Sequence, residues 1–365
     1  MKAIQNGNMF QIYDDGLKTY DALPADTYSV RFAKMTGFYL EKHLPLEIGE
    51  KVYGVHEAKV AKVMHTFQVS DRNLGVILSG AKGIGKSIFA KMMGQACVAA
   101  GIPVIIVDHF YPGISAFLES IEQEVMVLFD EFDKTFGSIK TGDNEPDAQA
   151  GLLSLFDGMA AGKKLFVVTC NDLNGLNDFL VNRPGRFHYH LRFDYPNPAE
   201  IEEYLKDKLV TNQIPEISNV VAFAKRVPLN YDCLRAIATE LNFGQTFKEA
   251  IGDLNIVNTS NQKYDLYLHY AGGETLANKN VCLDMFSTDE DELWLSNRRG
   301  ECPVQVMFRP ADFVYDAARG IMTLEASQFS LSYDKSEPDA KRLRAMTPLA
   351  MTAKRVATHD IHYAV

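Results

Sequence analysis

The sequence lacks closely spaced cysteine pairs and long apolar runs, and it has one tryptophan among its 365 residues. Its five cysteines are an odd number with no CxxC spacing, which gives no support for a disulfide framework or a zinc site. No apolar run reaches the roughly 18 residues that a membrane-spanning helix needs. We therefore expect a cytoplasmic protein with reduced thiols and no membrane segment. The cysteines are Cys97, Cys170, Cys233, Cys282 and Cys302.

The chain also lacks an excess of positive charge. Lysine and arginine number 37 against 47 aspartates and glutamates, so the formal net charge is −10. This balance disfavours a protein whose main role is to coat nucleic acid. The hydrophobic fraction of 47% and the charged fraction of 23% are ordinary globular values, which excludes wholesale disorder. The N-terminus has no apolar core, so no signal peptide is expected.

The pattern of apolar residues divides the chain into five segments. Residues 1–48 contain short alternating runs that predict a β-rich segment. Residues 49–197 alternate continuous apolar runs of strand length with helical stretches, which predicts an α/β fold whose parallel sheet is covered on both faces. Residues 198–255 have helical spacing, and residues 256–335 return to strands. Residues 336–365 are basic, and we expect them to be a weakly helical tail.

The most specific motif is a glycine-rich loop between a predicted strand and a predicted helix. The loop has the pattern G-x-x-x-x-G-K-S, in which glycine lets the backbone amides approach phosphate oxygens closely. Lys86 is expected to reach the outer phosphates, and the Ser87 hydroxyl to ligate magnesium. The predicted nucleotide-binding residues of this loop are Gly80, Ala81, Lys82, Gly83, Ile84, Gly85, Lys86, Ser87 and Ile88.

A second motif follows the apolar run Val125–Phe129, which ends in two acids. At the carboxyl end of a parallel strand, adjacent acids face the crevice where phosphates bind. Asp130 is expected to hold the magnesium shell, and Glu131 to orient or deprotonate an attacking water. Two adjacent acids alone are common in solvated loops, and the phosphate loop is what favours the catalytic interpretation.

A third apolar run ends at Thr169 and is followed by Asn171, and the motif RPGRF begins at Arg183. With LLSLFDGM before that run, these motifs resemble AAA+ ATPases, and within them the AAA clade proper. The resemblance covers about residues 49–255. It implies that Asn171 is the sensor-1 residue and that Arg183 and Arg186 are arginine fingers that reach the nucleotide of a neighbouring subunit. The alternative is that both arginines are salt-bridge partners at the surface.

The same resemblance implies a P-loop NTPase parallel sheet with a C-terminal helical lid at 198–255, flanked by β-rich segments. It also implies ATP and magnesium as cofactors. Tyr53 and Gly54 lie where the adenine pocket of this family is usually built. Asp232 stands at the sensor-2 position, and Arg235 either turns toward the nucleotide or forms a salt bridge.

Several weaker patterns leave two interpretations open. Phe110 and Tyr111 lie where ring-forming unfoldases carry an aromatic pore loop, and they either grip a client or pack against the next helix. His188 and His190 are either metal ligands or buried strand residues. The basic residues of the tail either touch nucleic acid or form a solvated helix face. These residues are Lys341, Arg342, Arg344, Lys354 and Arg355. Trp294 is expected in a core.

These observations favour a magnesium-dependent ATPase that assembles into a homo-oligomeric ring, expected to be a hexamer. The ring is expected to remodel or unfold a protein client that the β-rich flanks select. One alternative is a DNA-handling AAA+ ATPase of the helicase-loader or replication-factor type, in which nucleic acid is the partner. The other alternative is a nucleotide-gated scaffold that performs no mechanical work.

Overall fold

A computed structural model describes most of the chain, and its residues separate into two compact units, Met1–Tyr195 and Pro196–Val365. The described residues are 2–6, 9–49, 51–54, 56–137, 149–157, 162–173, 176–177, 180, 185–256, 262–316, 319, 321–334 and 336–356.

The strands are β1 (Lys2–Asn6), β2 (Met9–Tyr13), β3 (Thr27–Ala33), β4 (Gly37–Lys42), β5 (Leu74–Ser79), β6 (Val104–Val107), β7 (Val125–Phe129), β8 (Lys164–Cys170), β9 (Tyr189–Arg192), β10 (Gln262–Tyr270), β11 (Thr275–Leu283), β12 (Asp291–Leu295), β13 (Val304–Phe308), β14 (Val314–Asp316), β15 (Ile321–Glu325), β16 (Phe329–Tyr333) and β17 (Pro348–Arg355). The α-helices are α1 (His56–Val69), α2 (Lys86–Ala99), α3 (Ile114–Glu119), α4 (Phe132–Thr135), α5 (Leu153–Asp157), α6 (Pro198–Lys208), α7 (Ile217–Ala224), α8 (Tyr231–Asn242), α9 (Phe247–Asp253) and α10 (Ala340–Arg344). Short 3-10 helices span Ala150–Leu152, Thr211–Glu216, Pro310–Asp312 and Ala326–Gln328.

The first unit is built on a seven-stranded sheet of order β4-β3-β6-β7-β8-β5-β9. All neighbouring pairs from β3 to β9 are parallel, and β4 is antiparallel to β3. Successive residues of β7 point into different cores: Phe129 joins one apolar cluster, and Leu128 joins the other. Helices therefore cover both faces of the sheet, which confirms the predicted α/β class with a mainly parallel sheet.

The N-terminal segment extends this sheet. β3 pairs in parallel with β6, and β4 folds back on β3 to form one edge. The strands were expected from the sequence, but their place in the large sheet was not. β1 and β2 form a separate two-stranded sheet.

The second unit contains α6–α9, two sheets and α10. The sheets are five-stranded, of order β11-β10-β17-β15-β14, and three-stranded, of order β12-β13-β16. Alternate residues of β10 and β13, among them Leu266, Leu268, Val304 and Val306, share one apolar core. Asn197 begins α6 with a capping box, in which its side chain accepts from the backbone while Glu200 reaches back.

Two expectations about this unit are wrong. Residues 348–355 are not a weakly helical tail, because they form β17 between β10 and β15. Ala353 and Met351 alternate inward there, so Lys354 and Arg355 belong to a strand, not to a helix face. Trp294 was expected in a core, but it is 42% exposed. The inward residues on either side of it on β12, Leu293 and Leu295, take the core positions.

The five cysteines are all free thiols, and Cys97 and Cys170 are buried. Burial raises the pKa of each of these two thiols to about 12. Within the described ranges, no three side chains of the metal-binding types cluster together. No helix in the part of the chain that the structure covers is both long and apolar enough to cross a bilayer.

Candidate nucleotide-binding site

The glycine-rich loop lies between β5 and α2, as the motif predicts. Gly80, Gly83 and Gly85 all have positive φ angles, of 141°, 71° and 101°. A Cβ atom on Gly80 would lie 2.2 Å from the Phe193 carbonyl oxygen. Only glycine fits that position, and the three positive φ angles give the loop the tight turn that the motif predicts.

Lys86 opens α2, and its side chain returns along the loop. Its ammonium donates to the carbonyl oxygens of Gly80 and Ala81, both at 2.6 Å, and to Asn171 Oδ1 at 3.0 Å. Burial lowers the pKa of Lys86, and the negative groups around it act in the opposite direction. The structure thus brings Lys86 and the predicted sensor-1 residue Asn171 together, although 85 residues separate them.

Thr169 joins the two acids that follow β7, and the sequence analysis did not identify it. Its hydroxyl donates to Asp130 Oδ1 at 2.7 Å and accepts from the Glu131 backbone amide at 2.8 Å. The β7–β8 register pairs Phe129 with Val168, so the next residues on the two strands are neighbours. Strand adjacency was the signal that could have indicated this contact.

A second contact joins α4 to the sensor-1 loop. Asp133 Oδ2 accepts from the backbone amides of Asn171 at 3.1 Å and Asp172 at 3.3 Å. Asp133 follows the predicted pair of acids by two residues and was not among the predicted site residues. It fixes the backbone that carries the Asn171 side chain, while Lys86 holds that side chain from the other direction.

Glu131 has a left-handed backbone, with φ 48°, just before α4. A residue with a Cβ rarely adopts this region, and such conformations concentrate at functional sites. Its half-exposed carboxylate pairs with Lys134 one turn later. The carboxylate therefore lies on the solvent side of the strand end, where a water molecule can approach it.

The arginine motif is described only in part. Arg183 lies outside the described residues. Arg186 forms a two-point ion pair with Asp157 at the end of α5: Nη2 lies 2.6 Å from Oδ2, and Nε donates to the other oxygen. The Asp157 carboxylate, through this hydrogen bond, raises the pKa of the Arg186 guanidinium. The geometry of Arg186 is that of the salt-bridge alternative, and its finger role stays a prediction.

Other predicted nucleotide-binding residues differ in their exposure to solvent. Lys82 and Ser87 are exposed, and Ile84 is buried. Tyr53 is also buried and has the Lys51 ammonium 5.1 Å from its ring centroid, while Gly54 has a φ of 88°. The adenine-pocket role of Tyr53 and Gly54 stays a prediction.

The aromatic loop after β6 packs within the first unit. The Phe110 ring centroid lies 5.7 Å from that of Phe136, and the Tyr111 centroid lies 5.8 Å from Phe32 and 6.2 Å from Phe38. Both side chains are half-buried. These ring contacts are with β3, β4 and Phe136, whereas the packing alternative named the next helix, and the gripping role stays a prediction.

Two further patterns have structural partners. His190 Nε2 lies 2.6 Å from the Ser79 hydroxyl, and burial lowers the pKa of this histidine, with Arg192 acting in the same direction. These contacts favour the strand-residue interpretation for His190, whereas for His188 that interpretation is wrong, because His188 is exposed and precedes β9. In the second unit, Arg235 lies 3.9 Å from Asp232, one turn earlier on α8, which favours a salt bridge.

The fold and this loop define a P-loop nucleotide-binding protein. Residues 76–195 match the family model described as "ATPase family associated with various cellular activities (AAA)". The chain therefore contains an AAA ATPase domain, and the family resemblance seen in the sequence is confirmed.

Similar proteins carry the same domain in longer chains. A cell division cycle protein 48 homolog of Archaeoglobus fulgidus is 27% identical over 157 residues, which are 40% of this chain and 21% of that protein. An ATP-dependent zinc metalloprotease FtsH of Mycoplasmoides gallisepticum is 28% identical, over 42% of this chain and 22% of that protein. An "AAA ATPase forming ring-shaped complexes" of Micrococcus luteus is 25% identical, over 48% and 35%. The chain spans about a fifth to a third of the length of these relatives.

The contacts of Thr169 lead to a prediction about positioning. In Thr169→Val, Asp130 loses its hydroxyl donor and the Glu131 amide loses its acceptor, whereas Thr169→Ser keeps both. We expect the valine variant to lose about 1–3 kcal/mol of stability and to need severalfold more magnesium for half-maximal ATP turnover. Magnesium titrations of turnover and thermal melting measure these effects. A loss of stability with an unchanged magnesium requirement would leave Thr169 a purely structural residue.

Proposed function

We propose that this chain binds ATP with magnesium and hydrolyses it at the carboxyl edge of the parallel sheet. The observation that carries the proposal is the meeting of three separate segments there: Lys86 contacts Asn171, and Thr169 bonds Asp130 and Glu131. Ligands bind at this edge in open α/β sheets. The observed contacts thus join the phosphate loop, the acids after β7 and the residues after β8.

The donor set fits a magnesium nucleotide. The loop glycines, with their positive φ angles, suit a turn whose backbone amides bind phosphate oxygens, and Lys86 supplies a cation. The Ser87 hydroxyl and the Asp130 carboxylate are hard oxygen donors of the kind magnesium prefers. When bound, magnesium neutralises charge on the phosphates. Glu131 orients the attacking water and accepts its proton, and Asn171 holds that water or the terminal phosphate.

We propose further that the protein works as a homo-oligomeric ring, a hexamer, that remodels a protein client in the cytoplasm. Ring formation is supported by the resemblance of RPGRF to arginine fingers, which complete the site of a neighbouring subunit, and by the ring-forming relative. The free cysteines fit a reducing compartment. The β-rich second unit is the part that selects the client.

A scaffold that binds nucleotide without turnover is the second candidate. The observation that favours it is the engagement of two catalytic candidates with partners inside the subunit: Glu131 pairs with Lys134, and Arg186 pairs with Asp157. A hydrolase must release at least the Glu131 carboxylate during its cycle. The half-exposed pair of Glu131 and Lys134 contributes little stability, so its release costs little free energy.

The test is Glu131→Gln, which keeps shape but cannot accept a proton. We expect ATP binding to persist and turnover to fall by about a hundredfold or more, the usual contribution of a positioned base. Isothermal titration with ATP and phosphate release measure the two quantities. Glu122→Gln, at an exposed position of the same unit, is the matched control. Turnover of Glu131→Gln near the wild-type rate would remove Glu131 from catalysis, and a wild-type chain that binds ATP without turnover would establish the scaffold.

Client action has its own measurement. Reduced, carboxymethylated α-lactalbumin serves as an unfolded protein probe, and a single-stranded oligonucleotide as a nucleic-acid probe. We expect the protein probe to stimulate ATP turnover and the oligonucleotide to leave it unchanged. Stimulation by the oligonucleotide alone, lost as salt rises, would favour the DNA-handling alternative.

A further inference from the structure

The three-stranded sheet of the second unit has one face that the core does not use. Val304, Val306 and Phe308 of β13 point inward and are buried. The alternate residues form two cross-strand rows on the outer face. One row is Trp294, Gln305 and Ser332, and the other is Glu292, Met307 and Ser330.

This outer face exposes large apolar side chains at positions where the fold does not require an apolar residue. Trp294 is 42% exposed and Met307 is 41% exposed. The register gives both positions to the face away from the core, so neither residue is needed to fill it. Aromatic and methionine side chains are enriched in binding surfaces, where they supply contact area. Flanking serine and glutamine side chains add donors and acceptors.

The charge beside this face is negative at one end. Glu292 stands directly in the face, and it follows a run of three acids, Asp289, Glu290 and Asp291. Burial, and then the neighbouring charge of Asp289, raise the pKa of Asp291. Arg309 forms an ion pair with one acid of this run: its Nη2 lies 3.3 Å from Glu290 Oε1.

The opposite end of β12 carries the other sign. Arg298 and Arg299 lie in the turn that follows the strand, and both are exposed. The charges on this face therefore change sign along β12. Its acidic end complements a cation, and its basic end complements an anion or a chain end. Trp294 lies two residues from Glu292 on the same face, so one cation can contact the indole ring and the carboxylate together.

We propose that the outer face of β12, β13 and β16 binds an extended polypeptide segment through a lysine or arginine side chain that lies on Trp294 and pairs with Glu292. This proposal rests on the proposed function in one respect only, the polypeptide nature of the client. An extended chain directs alternate side chains to one side, so it can place them on the two cross-strand rows of this face. Nucleic acid fits less well, since its phosphates are repelled by the acidic run.

The single tryptophan makes the site observable in this 365-residue chain, because all of its tryptophan fluorescence comes from Trp294. A short peptide that alternates arginine with serine is titrated at low salt, beside a matched glutamate–serine peptide and an oligothymidylate. We expect only the arginine peptide to change the emission, with at least about tenfold tighter binding than the glutamate peptide. Binding of the oligothymidylate in preference to the arginine peptide would overturn the proposal.

Variants assign the contacts. We expect Glu292→Gln to weaken arginine-peptide binding by about threefold and Trp294→Ala by about fivefold, measured by anisotropy of a labelled peptide. Asp253→Asn, an equal charge change at an exposed position on α9, should have no effect. Equal affinity in all four proteins would overturn the proposal.

The readouts separate this proposal from the proposed function. Peptide binding needs no ATP, whereas client action is read by stimulated turnover. Unfolded protein that stimulates turnover without any arginine-peptide binding at Trp294 would overturn the binding face alone. Peptide binding at Trp294 without stimulated turnover would support the face and contradict the remodelling function.

Discussion

Replacing Lys86 by alanine is expected to weaken ATP binding by at least about a hundredfold, because the loop loses its buried cation. In the structure that cation is held by two loop carbonyls and by Asn171, so it is already placed within the loop. Isothermal titration with ATP measures the loss. Lys91→Ala removes an exposed lysine from the same helix and should bind ATP as the wild type does.

The alanine variant also removes three hydrogen bonds, so folding must be measured beside binding. Lys86→Met loses the charge and the same three hydrogen bonds but keeps most of the alkyl chain, so it preserves the packing of the side chain. We expect both variants to melt as one cooperative transition and to fail to bind ATP. Tight ATP binding by folded Lys86→Met would contradict the assignment of Lys86 to the phosphates.

Replacing Arg183 by alanine is expected to leave ATP binding intact and to lower hydrolysis by about 10³-fold, the effect of an arginine supplied by a neighbour. Its guanidinium cannot deprotonate and matches phosphate oxygens with two donors. Arg186→Ala separates the two arginines of the motif. Because Arg186 pairs with Asp157, we expect this change to lower the melting temperature as well. Steady-state turnover and thermal melting on the same preparations distinguish the two.

Mixing the Lys86→Ala and Arg183→Ala variants tests whether the predicted arginine finger Arg183 acts between subunits. A ring that contains Lys86→Ala and Arg183→Ala chains can place an intact phosphate loop beside an intact finger. We therefore expect partial recovery of hydrolysis at intermediate ratios. Mixed rings are verified by pull-down of one tagged variant. Verified mixed rings that stay inactive at every ratio would contradict action in trans.

The α/β core was predictable because its signals are local. Continuous apolar runs mark β5 to β8, and the glycines of the loop require backbone angles that few other residues adopt. The place of β17 was not predictable. Basic residues at 354 and 355 suggested a solvated segment, but strand pairing with β10 and β15 depends on partners far away in sequence. The prediction that Trp294 lies in a core was wrong for a related reason, since the strand register decides which face of the sheet a residue joins.

The site was predictable to the extent that each motif lies on one short segment. Lys86, Asp130, Glu131 and Asn171 were all predicted in this way, and their roles stay predictions. Thr169 was missed because its role depends on the strand beside it, and a threonine at the end of an apolar strand is common. The pairing of Arg186 with Asp157 likewise depends on α5 lying beside the motif, which no spacing in the sequence indicates.

The helices α6–α9 and the β-sheets that follow share one compact unit, and this limits how the protein can be recombined. The Arg226 guanidinium, at the end of the α7 segment, donates to the Phe313 carbonyl and lies 5.5 Å from the Phe286 ring centroid. Tyr264 in turn donates to the Arg226 carbonyl at 3.3 Å. A chimaera that exchanged only the helices with another ATPase would separate the half-buried Arg226 guanidinium from these aromatic rings. A workable graft must therefore move the helices and the sheets together.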